Sequence, residues 1–168
     1  MKRLIILITL SVLAVGLAPA LPSTSQTPAE SAMGKLRALA GEWDGRITDG
    51  RTVRATFQVI SAGASVLQTE QVSGRKETTT VYYLDGDQLM ATHYCSVKNQ
   101  PRFRTSKLED PNELTFSFVD VTNLGSLTHG HVRGAVITFQ DNDHHSQAWT
   151  WRENGQEYTE LTHFTRKK

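Results

Sequence analysis

Downstream of residue 41, apolar and polar residues alternate in short runs separated by turn-forming pairs, the pattern of strands with one face against a core. Val53, Ala55, Phe57 and Val59 share one face of a run whose other face carries Thr52, Arg54, Thr56 and Gln58. Leu114, Phe116 and Phe118 oppose Thr115 and Ser117 in the same way. Asp49-Gly50, Asp85-Gly86 and Asn154-Gly155 are hairpin signals, because these residues accept the positive φ of type I′ turns. Ser73-Gly74 and Asp141-Asn142-Asp143 mark further turns. Together they delimit strands near 42–48, 51–60, 64–72, 77–84, 88–95, 102–107, 113–119, 131–139, 146–152 and 156–165. Most connections are too short for a parallel crossover. The expected fold class is therefore all-β: a single antiparallel up-and-down barrel of eight to ten strands, whose closure removes exposed edges. A two-sheet sandwich is the alternative.

One segment before the strands has helical spacing. Thr27 as N-cap, Pro28 at the first helical position and Glu30 form a capping box. Met33, Leu36, Leu39 and Ala40 follow on one face, and Gly41 is a natural stop. A short amphipathic helix over 28–40 is expected to close one end of the barrel. Residues 21–29, rich in Ser, Thr and Pro, suit a flexible spacer, which leaves 30–168 as the barrel domain. The N-terminus has the three parts of a signal peptide over residues 1–20: Lys2 and Arg3, the apolar run Leu4 to Leu17, and Ala18-Pro19-Ala20 as a cleavage site. The run is shorter than the roughly 20 residues of a spanning helix. The expectation is a protein exported to the periplasm or secreted, with no stable membrane anchor once the signal is removed.

The chain of 168 residues carries 18 basic and 17 acidic side chains, without a basic block. This balance gives no electrostatic footprint for nucleic acid. Cys95 is the single cysteine, so an intramolecular disulfide is impossible and stability must come from packing.

The segment Leu36 to Asp44 places the helix directly before Gly41-Glu42-Trp43 at the head of the first strand. It resembles the G-x-W opening of the lipocalin and calycin barrels. In these a helix closes the floor, the Trp packs over it, and a basic residue leaving the last strand covers the Trp; Arg166 is the positional match. Thr92-His93-Tyr94-Cys95 with Asn99-Gln100-Pro101-Arg102, Phe116 to Asp120 with Thr122-Asn123, and Asp141 to Trp151 resemble uncharacterised, exported bacterial lipocalin-like proteins. That likeness implies the fold and an envelope address, and brings no established activity. His129-Gly130-His131 departs from it, since a Met is expected beside the His there.

Three polar clusters are candidates for chemistry. His93 and Tyr94, with Asn99, Gln100 and Arg102 from the following loop, offer the few placed polar groups that orient a ligand at the mouth of an apolar cavity. By the period of two, His93 and Cys95 share a face and Tyr94 takes the other. Asp120 and Asn123 precede His129 and His131, an imidazole pair that in extended chain would face one way. With His93 they are the candidates for a divalent metal. Asp141 to His145 lacks the calcium-loop pattern and is better read as a polar turn. Trp149 and Trp151 share a face and suit an apolar cavity wall. His163 near the C-terminus invites comparison with haem-binding barrels of the nitrobindin type, although their glycine-rich segment is not reproduced after Trp43.

These residues point to an exported binding module for a small, partly apolar molecule, with no catalytic residue and no cofactor expected. The ligand contacts are expected at His93, Tyr94, Asn99, Gln100, Arg102, Asp120, Asn123, His129 and His131, with Trp149 and Trp151 as wall. A metal- or haem-dependent enzyme or sensor using the histidines, and an envelope interaction protein with a filled barrel, are the alternatives.

Overall fold

A computed structural model describes residues 26–168 apart from Lys76, Glu109 and Leu127, and apart from the side chain of Lys107. The expected signal peptide and most of the spacer lie outside the described residues. One helix, α1 (Pro28–Ala38), precedes ten strands: β1 (Gly41–Ile47), β2 (Thr52–Ile60), β3 (Ser65–Val72), β4 (Thr78–Asp85), β5 (Gln88–Tyr94), β6 (Gln100–Lys107), β7 (Glu113–Thr122), β8 (His131–Phe139), β9 (His144–Glu153) and β10 (Gln156–Arg166). Each strand pairs antiparallel with its sequence neighbours, and β1 pairs with β10 to close the barrel. The meander is thus complete and the sandwich alternative falls. Ten strands close where eight to ten were expected. The ends shift by a few residues: β6 begins at Gln100, and β9 already includes His144 and His145.

The helix starts as the sequence dictates, with Thr27 Oγ1 accepting from the Glu30 amide at 3.2 Å. The reciprocal half of the capping box does not form. Glu30 instead accepts from Arg37 at 3.0 Å, while Arg37 Nε donates to the Gly63 carbonyl at 2.9 Å, tying α1 to the β2–β3 turn. The buried side of the helix, Ala29, Ala32, Met33 and Leu36, covers one end of the barrel.

That end is filled. Trp43 is buried, donates through Nε1 to the Leu39 carbonyl at 2.8 Å, and is covered by the Arg166 guanidinium at 4.2 Å. Arg166 also donates to the Ala38 and Ala40 carbonyls, satisfying acceptors left open where the helix ends, and to the Asn142 carbonyl in the β8–β9 turn. Above Trp43 lies an aromatic layer in which His145 is stacked on Phe164 at 4.7 Å and meets Trp43 edge-on at 4.4 Å. Phe57, Val66, Leu89, Phe103, Phe116 and Ile137 complete the plug. Gly45 belongs to it through its lack of a side chain, since a Cβ there would lie 2.6 Å from the Phe164 ring.

The opposite end is the mouth, formed by the turns β1–β2, β3–β4, β5–β6, β7–β8 and β9–β10. The β6–β7 ribbon leans away from its neighbours there. β5 pairs with β6 only over Met90–Thr92, and β7 with β8 only over Glu113–Ser117.

Candidate functional site

Residues directly opposite on paired strands point to one side of a sheet, so the register sorts the barrel interior into layers. Above the aromatic plug, Gln68 on β3 and Gln147 on β9 reach across the barrel, Gln68 Nε2 donating to Gln147 Oε1 at 3.1 Å. Tyr82 donates its hydroxyl to Gln68 Oε1 at 2.7 Å, and Gln147 Nε2 meets His145 Nε2 at 3.3 Å. This amide bridge is buried, and the cavity opens above it.

The next layer up is polar. Glu70 stands two residues beyond Gln68 and Trp149 two beyond Gln147; both fold back onto the bridge. Gln68 Nε2 donates to Glu70 Oε2 at 3.1 Å, and Trp149 Nε1 donates to Gln147 Oε1 at 2.9 Å. Glu160 is the register partner of Trp149, and Tyr158 that of Trp151. On the other wall Thr80 is opposite His93, and their side chains meet at 2.9 Å through His93 Nδ1. With Val72, Arg75, Thr78, Cys95, Val132 and Thr162 these groups enclose a cavity of about 280 Å³. That is the small end of the roughly 300–1,000 Å³ of small-molecule sites. A larger hollow of about 720 Å³ runs over Asp44, Arg46, Arg54 and His163. The side chains that line it are mostly outward-facing ones of β1, β2 and β10 with the β3–β4 turn, which makes it a surface groove.

The electrostatics of the cavity follow from its enclosure. Burial, reinforced by the charge of Glu160, raises the Glu70 carboxyl to about 7, although the Gln68 hydrogen bond and Arg75 pull the other way. Burial would raise Glu160 too, but hydrogen bonds from Arg51 and Arg75 outweigh it and hold that carboxyl below its usual range. Those two guanidiniums grip Glu160 at 2.8–3.0 Å across the mouth, and Arg51 also holds Asp49. Burial lowers His93 to about 4, leaving a neutral imidazole, and pushes the Cys95 thiol up. A raised thiol next to a neutral imidazole is not an activated nucleophile.

Of the eleven contacts expected from sequence, the structure brings His93, Trp149 and Trp151 together in this cavity. The other eight are placed elsewhere. Tyr94 points outward and is half exposed, as its phase implies. Arg102 and Asp120 form an ion pair on the outer face. Asn99, Gln100 and Asn123 stitch the mouth loops: Asn99 Nδ2 donates to the Gly130 carbonyl at 2.8 Å, Thr122 to Gln100 Oε1 at 2.7 Å, and Asn123 Nδ2 to the Lys98 carbonyl. The Asn99 bond spans the gap between the β6–β7 ribbon and the start of β8, while the other two hold the ribbon's own end together.

His129 lies exposed in the turn before β8, while His131 is buried beside Phe118, its Nδ1 engaged with the His129 carbonyl. The segment is therefore not extended at His129, and His93 lies in the cavity apart from this pair. Among the described residues no group of three His, Cys, Asp or Glu side chains is arranged to hold a metal. His163 is exposed on the outer face of β10. Glu70, Thr80, Glu160 and the Gln68–Gln147 bridge escaped sequence reasoning. Part of their signal was present: Gln68 and Glu70 share the inward phase of β3 with Val66, and Glu160 that of β10 with Phe164.

No family model matches the chain, and no curated protein matches it. Among solved structures it is similar to the crystal structure of Rv2717c from M. tuberculosis, with a TM-score of 0.58 and 16% identity over 86% of this chain and 100% of that one. A protein of unknown function of the DUF3598 family from Nostoc punctiforme is also similar, with a TM-score of 0.48 and 14% identity. The match spans 77% of this chain and 47% of that one. The likeness to the mycobacterial structure extends to the fold.

Proposed function

We propose that this chain is an exported binding module that holds a small, partly apolar molecule inside the upper half of its barrel. The observation that carries the reading is the division of the interior. The helix end is packed with side chains, while the mouth end encloses a cavity walled by Trp149 and Trp151 and lined by His93, Thr80 and Glu70. A few fixed polar groups against an aromatic wall are what small-molecule sites are made of. The lipocalin-like opening at Gly41-Glu42-Trp43, with Arg166 over the indole, supports the same reading by fold analogy. Export is supported by Lys2-Arg3, the apolar run and Ala18-Pro19-Ala20.

Native mass spectrometry of the protein isolated from its own cells tests the binding reading. The expected result is a bound small molecule that is lost on Trp149→Ala substitution in a chain that still folds. A bare chain mass, with indole emission unmoved by a panel of small aromatic and alkyl compounds, would favour a filled-barrel interaction protein instead. N-terminal sequencing of the same material should begin at Leu21; a sequence beginning at Met1 or Lys2 overturns the export assignment.

A further inference from the structure

The Glu70 carboxyl is enclosed in the barrel with one hydrogen bond, from Gln68 Nε2 to its Oε2, and no cationic partner among the described residues. An enclosed carboxylate is costly unless a positive group is set against it. The two guanidiniums nearest the mouth do not supply one. Arg51 and Arg75 both close on Glu160, and Arg51 is shared with Asp49 as well. Among the described residues Glu70 makes no ion pair, and it feels the charge of Arg75 only at a distance, whereas Glu160 is held directly by two guanidiniums. Across from it stands Trp149, anchored through Nε1 to the same amide bridge that anchors Glu70. Tyr158 and Trp151 continue the aromatic wall toward the mouth. Aromatic faces attract cations, most strongly where water is excluded.

Resting on the binding-module reading above, we propose that the cavity takes a small organic ammonium ion, its charge set against Glu70 and its apolar body against Trp149. An anion would meet two carboxyls, and the arginine charge that could offset them is already engaged. The neutral His93 adds a hydrogen-bonding edge and no competing charge.

Binding of such a cation is coupled to a proton. Around Glu70 are Gln68 on its own strand, Ala55 on β2, Thr78 and Tyr82 on β4, His93 on β5, Cys95 beyond it, Glu160 and Tyr158 on β10, and Arg75 at the mouth, with Arg51 behind Glu160. Burial pushes Tyr82 and Cys95 up and His93 down, and the guanidiniums hold Glu160 down. Glu70 is left as the group poised near neutrality. The cation requires it ionised, so affinity rises with pH, by roughly tenfold between about pH 6 and pH 8 for a group titrating near 7.

The test uses three probes with one body and different heads: phenethylamine, which stays protonated over this range, 2-phenylethanol and phenylacetate. Titration calorimetry at about pH 6 and pH 8 is run on the wild-type mature chain and on Glu70→Gln. The amine is expected to bind tightest, with the rise above. Glu70→Gln should abolish the rise and weaken the amine roughly tenfold at the higher pH, leaving the alcohol unchanged. Equal or tighter binding of phenylacetate, or an amine affinity indifferent to Glu70→Gln, overturns the proposal.

Preference for the alcohol with affinity falling as pH rises assigns Glu70 as a protonated donor; it overturns the cation while the binding module stands. If no probe binds but native mass spectrometry finds a resident molecule, the cation again fails alone. If no probe binds and the mass is bare, both readings fail.

Discussion

Glu70→Gln has a consequence for stability that can be worked before any ligand is known. Burial raises its carboxyl to about 7 in the folded barrel, against 4.5 for a free glutamate side chain. The folded state therefore holds its proton through a range in which the unfolded chain has lost it. Sign follows from that: the protein is most favoured below the unfolded value, and stability declines as pH rises through about 7. Each unit of separation is worth about 1.4 kcal/mol, so the full penalty is of order 3 kcal/mol. Between about pH 5, where part of it is already present, and about pH 8.5, where nearly all is, the wild type should lose about 2.5 kcal/mol relative to Glu70→Gln. The amide keeps an oxygen for Gln68 Nε2 and carries no charge to bury. Urea denaturation of both proteins at the two values reads the difference directly, and taking the difference cancels every other titrating group. Curves that stay parallel within about 0.5 kcal/mol would falsify the claim that this carboxyl is enclosed without a counter-charge.

Acid acts in the same direction through two buried histidines. His93 and His145 are lowered to about 4 and about 3, both by burial, His145 further by the charge of Arg166. Stability present above pH 6.5 should thus be lost as pH falls toward 4, by about 3 kcal/mol through His93 alone. His145→Phe should flatten part of this acid limb in a denaturation series, since Nδ1 of His145 is buried without a partner. Asn99→Ala removes the bond to the Gly130 carbonyl at a buried site and should cost about 1–2 kcal/mol, read by thermal unfolding. Gly130→Ala would place a Cβ 2.2 Å from Trp151. It should shift the tryptophan emission and weaken retention of any cavity ligand, with little loss of secondary structure by circular dichroism.

The fold was legible because closure of a meander rests on local signals. Alternation at Val53, Ala55 and Phe57 matched buried positions, Asn154-Gly155 turned with both φ positive as type I′ chemistry requires, and Arg166 met Trp43 across the length of the chain. At Asp49-Gly50 the chain also turns, but only Gly50 takes a positive φ, so that turn is not type I′. Val59 shows where alternation stops informing. It keeps the inward phase but is 43% exposed near the end of β2, although Val66 directly opposite is buried. The site was legible only in part, for a physical reason. Loops rich in Asn, Arg and Asp attract attention as ligand groups, yet the same donors and acceptors are needed where paired strands separate. Asn99 and Asn123 serve that need in the mouth loops.

The more informative polar residues were those at inward phases, where a core would take Val or Leu. Gln68 and Glu70 follow Val66 on the inner face of β3, and Gln147 precedes Trp149 and Trp151 on that of β9. A barrel needing only stability could extend its apolar plug to the mouth. Replacing Glu70 with an apolar residue of similar volume would avoid the penalty worked above, at the smaller cost of leaving one N–H of Gln68 Nε2 without its acceptor. A carboxyl kept at a cost of order 3 kcal/mol near neutral pH, out of the 5–15 kcal/mol that typically holds a domain folded, is hard to account for by folding alone. An occupant that supplies the missing charge turns the same group from a liability in the empty barrel into an attachment point in the filled one. Ligand and proton then compete for one carboxylate, and occupancy of the barrel becomes a function of the pH of its compartment.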